Sequence, residues 1–358
     1  MKKQNILEVK ILKAILATYI ILALVIAGLN YGYVDRAAPV VAEFISWLWH
    51  FYENWIKMLF IICGSFLTLK ILSGSVRTAM RKRNLQGFVI FAFIVHILGP
   101  FVLGISELYL FSMPLPWTTT PLQLFYQEGS FYLSRFPLWG AAGISAALTF
   151  YFLISIVVLT GTLLLGRRWQ CSTLCLFNGF ASEVFSPAFP LTGKQKQITP
   201  GIIKLFSVLR WIFLVIALFF SFFWLIFVFG KLPDFNPEIL AQIEVYKYLG
   251  TELLATMFLW IIFTGRGYCY YCPLGTVLSF IGKVAGQKIV TDKTECIKCN
   301  KCNQVCPLAI DIKSCAEKGL AVQNLRCVGC GHCVDRCPTK TLSYQTNFLG
   351  RIEKNRGI

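Results

Sequence analysis

The stretches CIKCNKCNQVCP at residues 296–307 and CVGCGHCVDRCP at residues 327–338 each carry the pattern C-x2-C-x2-C-x3-C-P. A cubane iron–sulfur cluster needs four thiolates that converge from a tight backbone, and in runs of this type the fourth cysteine reaches the other cluster. The spacing therefore predicts two [4Fe–4S] clusters, the first on Cys296, Cys299, Cys302 and Cys337 and the second on Cys327, Cys330, Cys333 and Cys306. Disulfides and structural zinc are the alternatives, and cysteines in two proline-closed runs of this spacing disfavour both.

The chain upstream of these runs is strongly apolar. The 358 residues are 56% hydrophobic with a mean hydropathy of +0.64, and the hydrophobic residues form blocks long enough to cross a bilayer. The sequence therefore predicts an α-helical membrane protein of about six transmembrane helices with a C-terminal α+β bacterial-type two-cluster ferredoxin domain. The predicted spans are residues 11–29, 55–72, 87–106, 141–165, 203–229 and 248–264.

The domain boundaries are predicted from the same blocks. Residues 1–286 form the membrane domain, residues 287–345 the two-cluster ferredoxin domain, and residues 346–358 a tail. The stretch VVAEFISWLWHFYEN at residues 40–54 is apolar on one side and contains Glu43, His50 and Glu53. This pattern predicts an interfacial helix before the second span, with an extension of that span as the alternative.

The basic residues indicate an orientation in the membrane. The formal net charge is +17, but Lys and Arg lie beside the apolar blocks and on alternate connections, and no nucleic-acid recognition motif accompanies them. The excess of positive charge on one side predicts a multi-pass protein of the inner membrane, with both termini and the ferredoxin domain in the cytoplasm. A reducing compartment also suits thiolate ligands. Membrane lipid is therefore an expected partner, and nucleic acid is not.

A second cysteine pattern ends two of the spans. The sequence reads GRRWQCSTLCLFNGF at residues 166–180 and GRGYCYYCPLGTVLSF at residues 265–280. Each has Gly-Arg, a cysteine pair and a short apolar segment that is predicted to form an interfacial helix. We interpret residues 141–190 and 248–286 as a repeated helix–cysteine-pair unit.

The two pairs are predicted to lie at the same membrane face as the ferredoxin domain. They are candidates for a further metal or iron–sulfur centre, for a redox-active dithiol, or for small apolar side chains that only pack. Arg167 and Arg266 are expected to help keep their thiolates ionised. The four residues of this candidate site are Cys171, Cys175, Cys269 and Cys272.

The chain resembles the NapH/NosR-type polytopic membrane ferredoxins over roughly residues 141–345. The resemblance rests on the two helix-ending cysteine pairs and on the two-cluster module. In that family both pairs read C-x3-C-P, whereas here Leu176 replaces the first Pro and the Cys269–Cys272 pair is one residue shorter. The resemblance implies a protein that passes electrons between the quinone pool, or a cytoplasmic donor, and a partner reductase.

His96 is the remaining candidate, since it lies near the middle of the third span. Polar groups at that depth are costly and often functional, so a contact with a quinone is one interpretation and a hydrogen bond to a neighbouring helix is another. Haem is not expected, because His50 is the only possible second axial histidine outside the ferredoxin domain. No catalytic residue is predicted.

Two functions of other classes remain open at this stage. One is a metal-reducing maturation factor for a respiratory metalloenzyme, and the other is a membrane regulator that senses redox state through its clusters. Both would use the same cysteines.

Overall fold

A computed structural model of the protein describes residues 3–73, 78–125, 136–177, 179–192, 198–230, 237–292 and 295–355. Within these ranges, six helices are long and apolar enough to cross a membrane. They confirm the predicted α-helical membrane domain, and several extend beyond the predicted spans because the apolar run continues into helix-forming residues. The six spans are Ile6–Gly32, Pro39–Ser73, Ala79–Leu103, Leu138–Leu165, Pro200–Val228 and Val245–Ile262.

The second span differs from the prediction. The stretch 40–54 is not a separate interfacial helix, because it continues without a break into the span that ends at Ser73. No helix-breaking residue separates the two parts, and a π-helical turn at Tyr52–Ile56 joins them. Glu53 and Asn54 are only 4% and 5% exposed, so this stretch buries its polar side chains in the bundle.

The helix bounds show how the spans are built. The α-helices of the membrane domain are Lys3–Gly32, Pro39–Phe51, Lys57–Ser73, Ala79–Phe93, Gly99–Leu103, Phe136–Leu165, Pro200–Val228, Pro237–Lys247, Ala255–Ile262 and Pro273–Val284. Three spans contain a π-helical turn, at Tyr52–Ile56, Ile94–Leu98 and Tyr248–Leu254. Short turns follow the fourth span at Trp169–Leu174, Phe180–Val184 and Ser186–Ala188.

The outer faces of the spans are apolar, as lipid contact requires. Phe66, Phe101 and Phe222 are 68%, 84% and 64% exposed on three different spans. Apolar side chains of this size at the bundle periphery are stable only against hydrocarbon, because in water they would form large exposed patches. The chain is therefore a membrane protein, in agreement with the prediction.

The C-terminal domain is a small α+β unit. Strand β1 (Lys288–Thr291) pairs antiparallel with strand β2 (Leu342–Gln345), with Lys288 opposite Gln345. Alternate residues of the strands are buried, as expected for a sheet with one packed face. Short helices lie between the strands at Lys301–Gln304, Lys313–Lys318 and His332–Arg336. The segment predicted as a tail contains a further helix, Asn347–Asn355.

The C-terminal domain packs on the ends of the third and fourth spans. The Tyr344 hydroxyl donates to the Leu165 carbonyl at 2.7 Å, and the Thr346 hydroxyl donates to the Leu164 carbonyl at 2.7 Å. On the third span, the Asn84 amide donates to the Cys330 carbonyl at 3.1 Å. These bonds satisfy carbonyl groups that a helix end leaves without a partner, so the domain also caps the fourth span.

Gly166, which ends the fourth span, provides a test of this docking. Its φ of +76° is left-handed, and an added Cβ would overlap the Tyr344 hydroxyl and the Gln287 side chain. Gly166→Ala should destabilise the protein by about 1–3 kcal/mol through backbone strain alone. Thermal unfolding of the purified protein measures the loss. Gly28→Ala is the control, since nothing lies within 4 Å of the Cβ it would add. Equal stability of both variants would contradict the docking geometry.

Candidate functional site

The two cysteine runs adopt the same backbone geometry. Each cysteine of the first run has a counterpart 31 positions later, from 296 to 327 and from 306 to 337. Left-handed backbone conformations recur at the same offsets, where the N–H groups can turn inward toward an anionic group. The matching pairs are Lys298 (φ 56°) with Gly329 (69°), Asn300 (60°) with Gly331 (79°), and Ala309 (48°) with Lys340 (60°).

Two cavities separate the eight cysteines into sets of four. The cavity that we call the proximal site is lined by three cysteines of the second run and by Cys306 of the first. The cavity that we call the distal site is lined by three cysteines of the first run and by Cys337 of the second. This grouping fits two cubane clusters with exchanged fourth ligands. The ligand assignment itself stays a prediction.

The spacing of the sulfurs suits a cluster better than a single ion. Across the described parts of the chain, no three His, Cys, Asp or Glu side chains converge closely enough to hold one metal ion. A cubane places an iron at each corner and so separates its four thiolates more widely than a single ion does. The lining of the two cavities therefore fits the larger group.

The two cluster sites differ in their surroundings. At the proximal site Cys333 is buried, and burial raises the pKa of the Cys330 thiol to about 12 despite the nearby Arg266. At the distal site Cys299 is exposed. Burial alone would raise the pKa of the Cys337 thiol, but the hydroxyls bonded to its sulfur, that of Thr341 first, lower it below its usual value. The distal site therefore faces a polar environment, and the proximal site an apolar one.

The four membrane cysteines come together as one group. Cys171 and Cys269 are buried, Cys175 and Cys272 are half-buried, and each interacts electrostatically with others of the set. Cys171 and Cys269 belong to the same apolar cluster as residues of the C-terminal domain. The structure thus places the pairs side by side below the proximal site, as the repeat predicts.

The arginines favour ionisation of Cys269, as expected, but burial has the larger effect in the second pair. Arg266 and Arg167 favour the thiolate of Cys269, but burial outweighs them and raises its pKa to about 12. Burial also raises the pKa of Cys272 well above its usual value, although the Gly275 N–H donates to its sulfur at 3.3 Å. As free thiols both are neutral at physiological pH.

Arg266 instead joins the two repeat units. It has no exposed surface and pairs with buried Glu183, which follows the first cysteine pair. It also donates to the Ser172 hydroxyl at 2.9 Å and to the Cys171 carbonyl at 3.1 Å. Burial alone would lower the pKa of the guanidinium, but the Glu183 carboxylate raises it above its usual range. Arg266 is therefore charged and structural.

Residues 268–272 contact both the membrane interior and the proximal site. The Tyr268 ring lies edge-on to Phe177, with ring centres 5.3 Å apart. Two residues on, the Tyr270 hydroxyl donates to the carbonyl of Pro307, the residue after Cys306, at 3.1 Å. The segment thus bridges the distance between the helical bundle and a lining residue of the proximal site.

Two arginines hold the loop between the cysteine runs. Arg167 donates from Nη1 to the Leu325 carbonyl at 3.0 Å, and Arg210 donates from Nη2 to the same oxygen at 3.2 Å. Arg210 also bonds the Thr276 and Ser279 hydroxyls, at 3.0 and 2.7 Å. Sequence reasoning missed Arg210, although a lone arginine in the apolar fifth span was a visible signal.

His96 lies apart from the cysteines. It is 1% exposed, and its ring stacks on Tyr109 with ring centres 5.7 Å apart. His50, the other histidine of the membrane domain, contacts the Glu107 carboxylate at 3.1 Å. A quinone contact of His96 stays a prediction.

Comparison with known proteins supports the interpretation of the motifs. A family model described as a 4Fe-4S dicluster domain matches residues 275–349. NapH, a ferredoxin-type protein of Haemophilus influenzae, is 32% identical over 103 residues, which are 27% of this chain and 36% of NapH. YccM of Escherichia coli is 30% identical over 111 residues, which are 29% of this chain and 30% of YccM.

Over the matched part, the chain is similar to the NapH-type membrane ferredoxins. The chain spans about a third of the length of NapH and of YccM. A longer match joins it to the uncharacterized protein MJ0750 of Methanocaldococcus jannaschii, which is 26% identical over 208 residues, or 56% of this chain and 79% of that protein. No solved structure matches the chain. The resemblance inferred from the motifs is confirmed, and with it the presence of 4Fe-4S chemistry in a membrane protein.

The exchange of the fourth ligand in this membrane ferredoxin can be tested by paired substitutions. Cys306→Ala should abolish the same cluster signal as Cys327→Ala, while Cys302→Ala should abolish the other one, because each cavity is lined from both runs. EPR spectra of the reduced protein and its iron content measure the result. Cys315→Ser is the control, since this cysteine lines neither cavity, and it should retain both signals. Loss of the same signal in Cys306→Ala and Cys302→Ala would refute the exchange.

The buried ion pair gives a second prediction. Arg266→Met leaves the Glu183 carboxylate buried without its cation and should lower the free energy of unfolding by about 3–5 kcal/mol. The double variant Arg266→Met, Glu183→Leu removes both charges and should recover much of the loss. Thermal or denaturant unfolding of the detergent-solubilised protein measures both. A single variant as stable as the wild type would show that the pair does not hold the repeat units together.

Proposed function

We propose that the protein is a membrane-bound electron carrier, which exchanges electrons between the quinone pool, or a cytoplasmic donor, and a partner reductase. The observation that carries this proposal is the segment 268–272, which contacts the membrane interior through Tyr268 and the proximal site through Tyr270. Electrons tunnel efficiently only over short, well-packed distances. A continuous packed connection from the bundle to one cluster site is what such a carrier requires.

Two [4Fe–4S] clusters are the cofactors we propose. The proximal one would be held by Cys306, Cys327, Cys330 and Cys333, and the distal one by Cys296, Cys299, Cys302 and Cys337. Such clusters supply one-electron transfer when bound. The lining of both cavities, four cysteines in each, supports this number.

We propose that the partner reductase binds at the distal site. Cys299 is exposed, and the neighbouring Ile297 is 62% exposed. An apolar side chain beside an exposed ligand gives a redox partner a contact point close to the cofactor. The proximal site is covered by the membrane domain and is not accessible in this way.

We place this domain on the cytoplasmic side of the inner membrane. The N-terminal helix contacts the same side of the bundle, since Lys13 donates to the carbonyls of Pro190 and Leu191 at 2.7 and 3.2 Å. The ends of the spans near the C-terminal domain carry the basic residues Arg81, Arg167 and Arg266. The positive-inside rule supports a cytoplasmic location for this side.

The membrane cysteines have a supporting role in this proposal. Cys171 and Cys269 pack with Tyr268 and with residues of the C-terminal domain in one apolar cluster. A metal or further iron–sulfur centre on them is the alternative, although among the described residues no three of these side chains converge closely enough to hold one ion. Substitution of all four by Ser distinguishes the two, because only a metal centre would change the metal content.

Electron transfer can be tested in proteoliposomes that contain the cluster-loaded protein. A short-chain quinol should reduce the clusters rapidly, as followed by their visible absorbance, and an added soluble electron acceptor should sustain turnover. Dithionite provides the total reducible amount. If neither a quinol nor a reduced soluble ferredoxin reduces the clusters, the proposal is overturned.

Slow reduction, with a redox-dependent change in binding to another protein, would instead indicate a sensor. A partner enzyme that is inactive without this protein but rescued by added metal would indicate a maturation factor.

A further inference from the structure

A cavity in the middle of the membrane domain has no role in the cluster sites. It lies between the first, second and sixth spans and the segment that follows Cys175. Its lining includes Tyr19 from the first span, Glu53 and Lys57 from the second, and Trp260 from the sixth. Glu53 and Lys57 lie close to the midpoint of Pro39–Ser73, so the cavity is at the depth of the hydrocarbon core.

One wall of the cavity is charged. Lys57 Nζ lies 2.7 Å from Glu53 Oε2, and both side chains are buried or nearly so. Two charges at the centre of a membrane are expensive, so such a pair marks a functional site more often than a structural one. The other titratable groups that face this pair are Tyr19, Tyr52, Tyr109, Tyr248 and His96.

The opposite wall is aromatic. Phe177, Phe180 and Trp260 line it, and Tyr19 closes one end with its ring centre 4.4 Å from that of Phe180. Aromatic side chains on one wall and a charged pair on the other suit a planar ring that carries oxygen atoms. Phe177 also contacts Tyr268, so the wall of this cavity is the membrane end of the packed connection to the proximal site.

The helices around the cavity are locally distorted. The π-helical turns at Tyr52–Ile56 and Tyr248–Leu254, in the second and sixth spans, each contain a buried carboxylate, that of Glu53 and that of Glu252. Single π-helical turns are rare and are frequent at functional sites. Their occurrence in two of the three spans that line the cavity is independent support for a site.

A line of polar groups connects the charged wall to the loop after the third span. His50, Glu53 and Lys57 are three and four residues apart on one face of the second span. His50 Nε2 lies 3.1 Å from Glu107 Oε1, and Ser106 donates to the other Glu107 oxygen at 2.9 Å. Asn54 donates to the Ser106 carbonyl at 2.9 Å. This end of the bundle lies away from the C-terminal domain.

We propose that this cavity binds the ring of a lipid-soluble quinol, and that Glu53 accepts the proton of a ring hydroxyl and passes it toward His50 and Glu107. The inference rests on the proposed function and names its membrane site. Oxidation of the quinol breaks two O–H bonds and releases two protons and two electrons. The protons leave by Glu53, and the electrons leave singly toward the 4Fe-4S domain and its soluble acceptor. Lys57 is a positioning residue that holds the Glu53 carboxylate.

The test uses Glu53→Gln in the full-length, cluster-loaded protein in proteoliposomes. Reduction of the clusters by a short-chain quinol should be about 100-fold slower or worse than in the wild type, because a proton acceptor is lost. Reduction by dithionite should be unchanged. Glu43→Gln is the matched control, since Glu43 lies on the same helix but is exposed, and it should behave as the wild type. In the wild type, a pH-sensitive dye should report proton release on the side opposite to the C-terminal domain.

A measurement of quinone binding tests the cavity independently of the oxidation reaction. Trp49 and Trp260 line the cavity, so the oxidised quinone should quench tryptophan fluorescence, and Trp260→Phe should reduce that quenching. Glu53→Gln, Lys57→Gln removes both charges and covers the case in which the single variant does not fold. Wild-type clusters that no quinol reduces would refute the quinone link of the proposed function. Rapid reduction by quinol in both the wild type and the Glu53 variants would refute the site alone.

Discussion

The burial of the Arg266 guanidinium is the constraint on which the junction between the membrane domain and the cluster domain depends. A charge without exposed surface has to find its partners inside the protein, and Arg266 finds them in Cys171, Ser172 and Glu183. All three belong to the segment after the fourth span, so this segment is held inside the bundle. Phe177 and Phe180 lie between Ser172 and Glu183 in the sequence. Because Arg266 holds this segment inside the bundle, both rings line the central cavity.

The two repeat units begin alike and then diverge, for a local reason. After the second pair, Pro273 occupies the first turn of the helix Pro273–Val284, where its missing N–H costs nothing, and the Cys272 sulfur accepts the Gly275 N–H. After the first pair, Leu176 stands where a proline would start such a helix. The chain there returns into the bundle and forms the short turn Phe180–Val184. The departure from the family motif thus coincides with the segment that lines the cavity.

The cluster ligands can be predicted from the sequence because ligand spacing is a local property. Three cysteines within seven residues and a fourth before a proline allow few ways to bind a cluster. The cysteines that line the two cavities are grouped in the way this spacing predicts. The number of spans is predictable for a similar reason, since length and hydropathy decide it. The exposed Glu43 and the buried Glu53, by contrast, lie on the same helix and carry the same charge.

The hydrophobic pattern of the second span does not predict which of Glu43 and Glu53 is buried. In a membrane both the lipid-facing and the protein-facing sides of a helix are apolar, so hydrophobic periodicity no longer reports which face is buried. Glu53 becomes buried because the first and sixth spans and the returning segment enclose it. That enclosure depends on contacts between parts of the chain that are far apart in sequence.

The dependence of the proximal site on the membrane domain has a structural basis. The backbone of the second run is fixed by side chains from outside it, since Asn84 donates to the Cys330 carbonyl at 3.1 Å and Gln287 to the Cys327 carbonyl at 2.9 Å. The first run is also held from within the domain, where the Asn303 side chain accepts the N–H groups of Ile312 and Lys313 at 2.8 and 2.9 Å. The proximal site is therefore built jointly by the two domains, and the distal site by the C-terminal domain alone. A cluster domain separated from its membrane helices would keep the Asn303 bonds and the Gln287 bond but lose the bond from Asn84 to the proximal site.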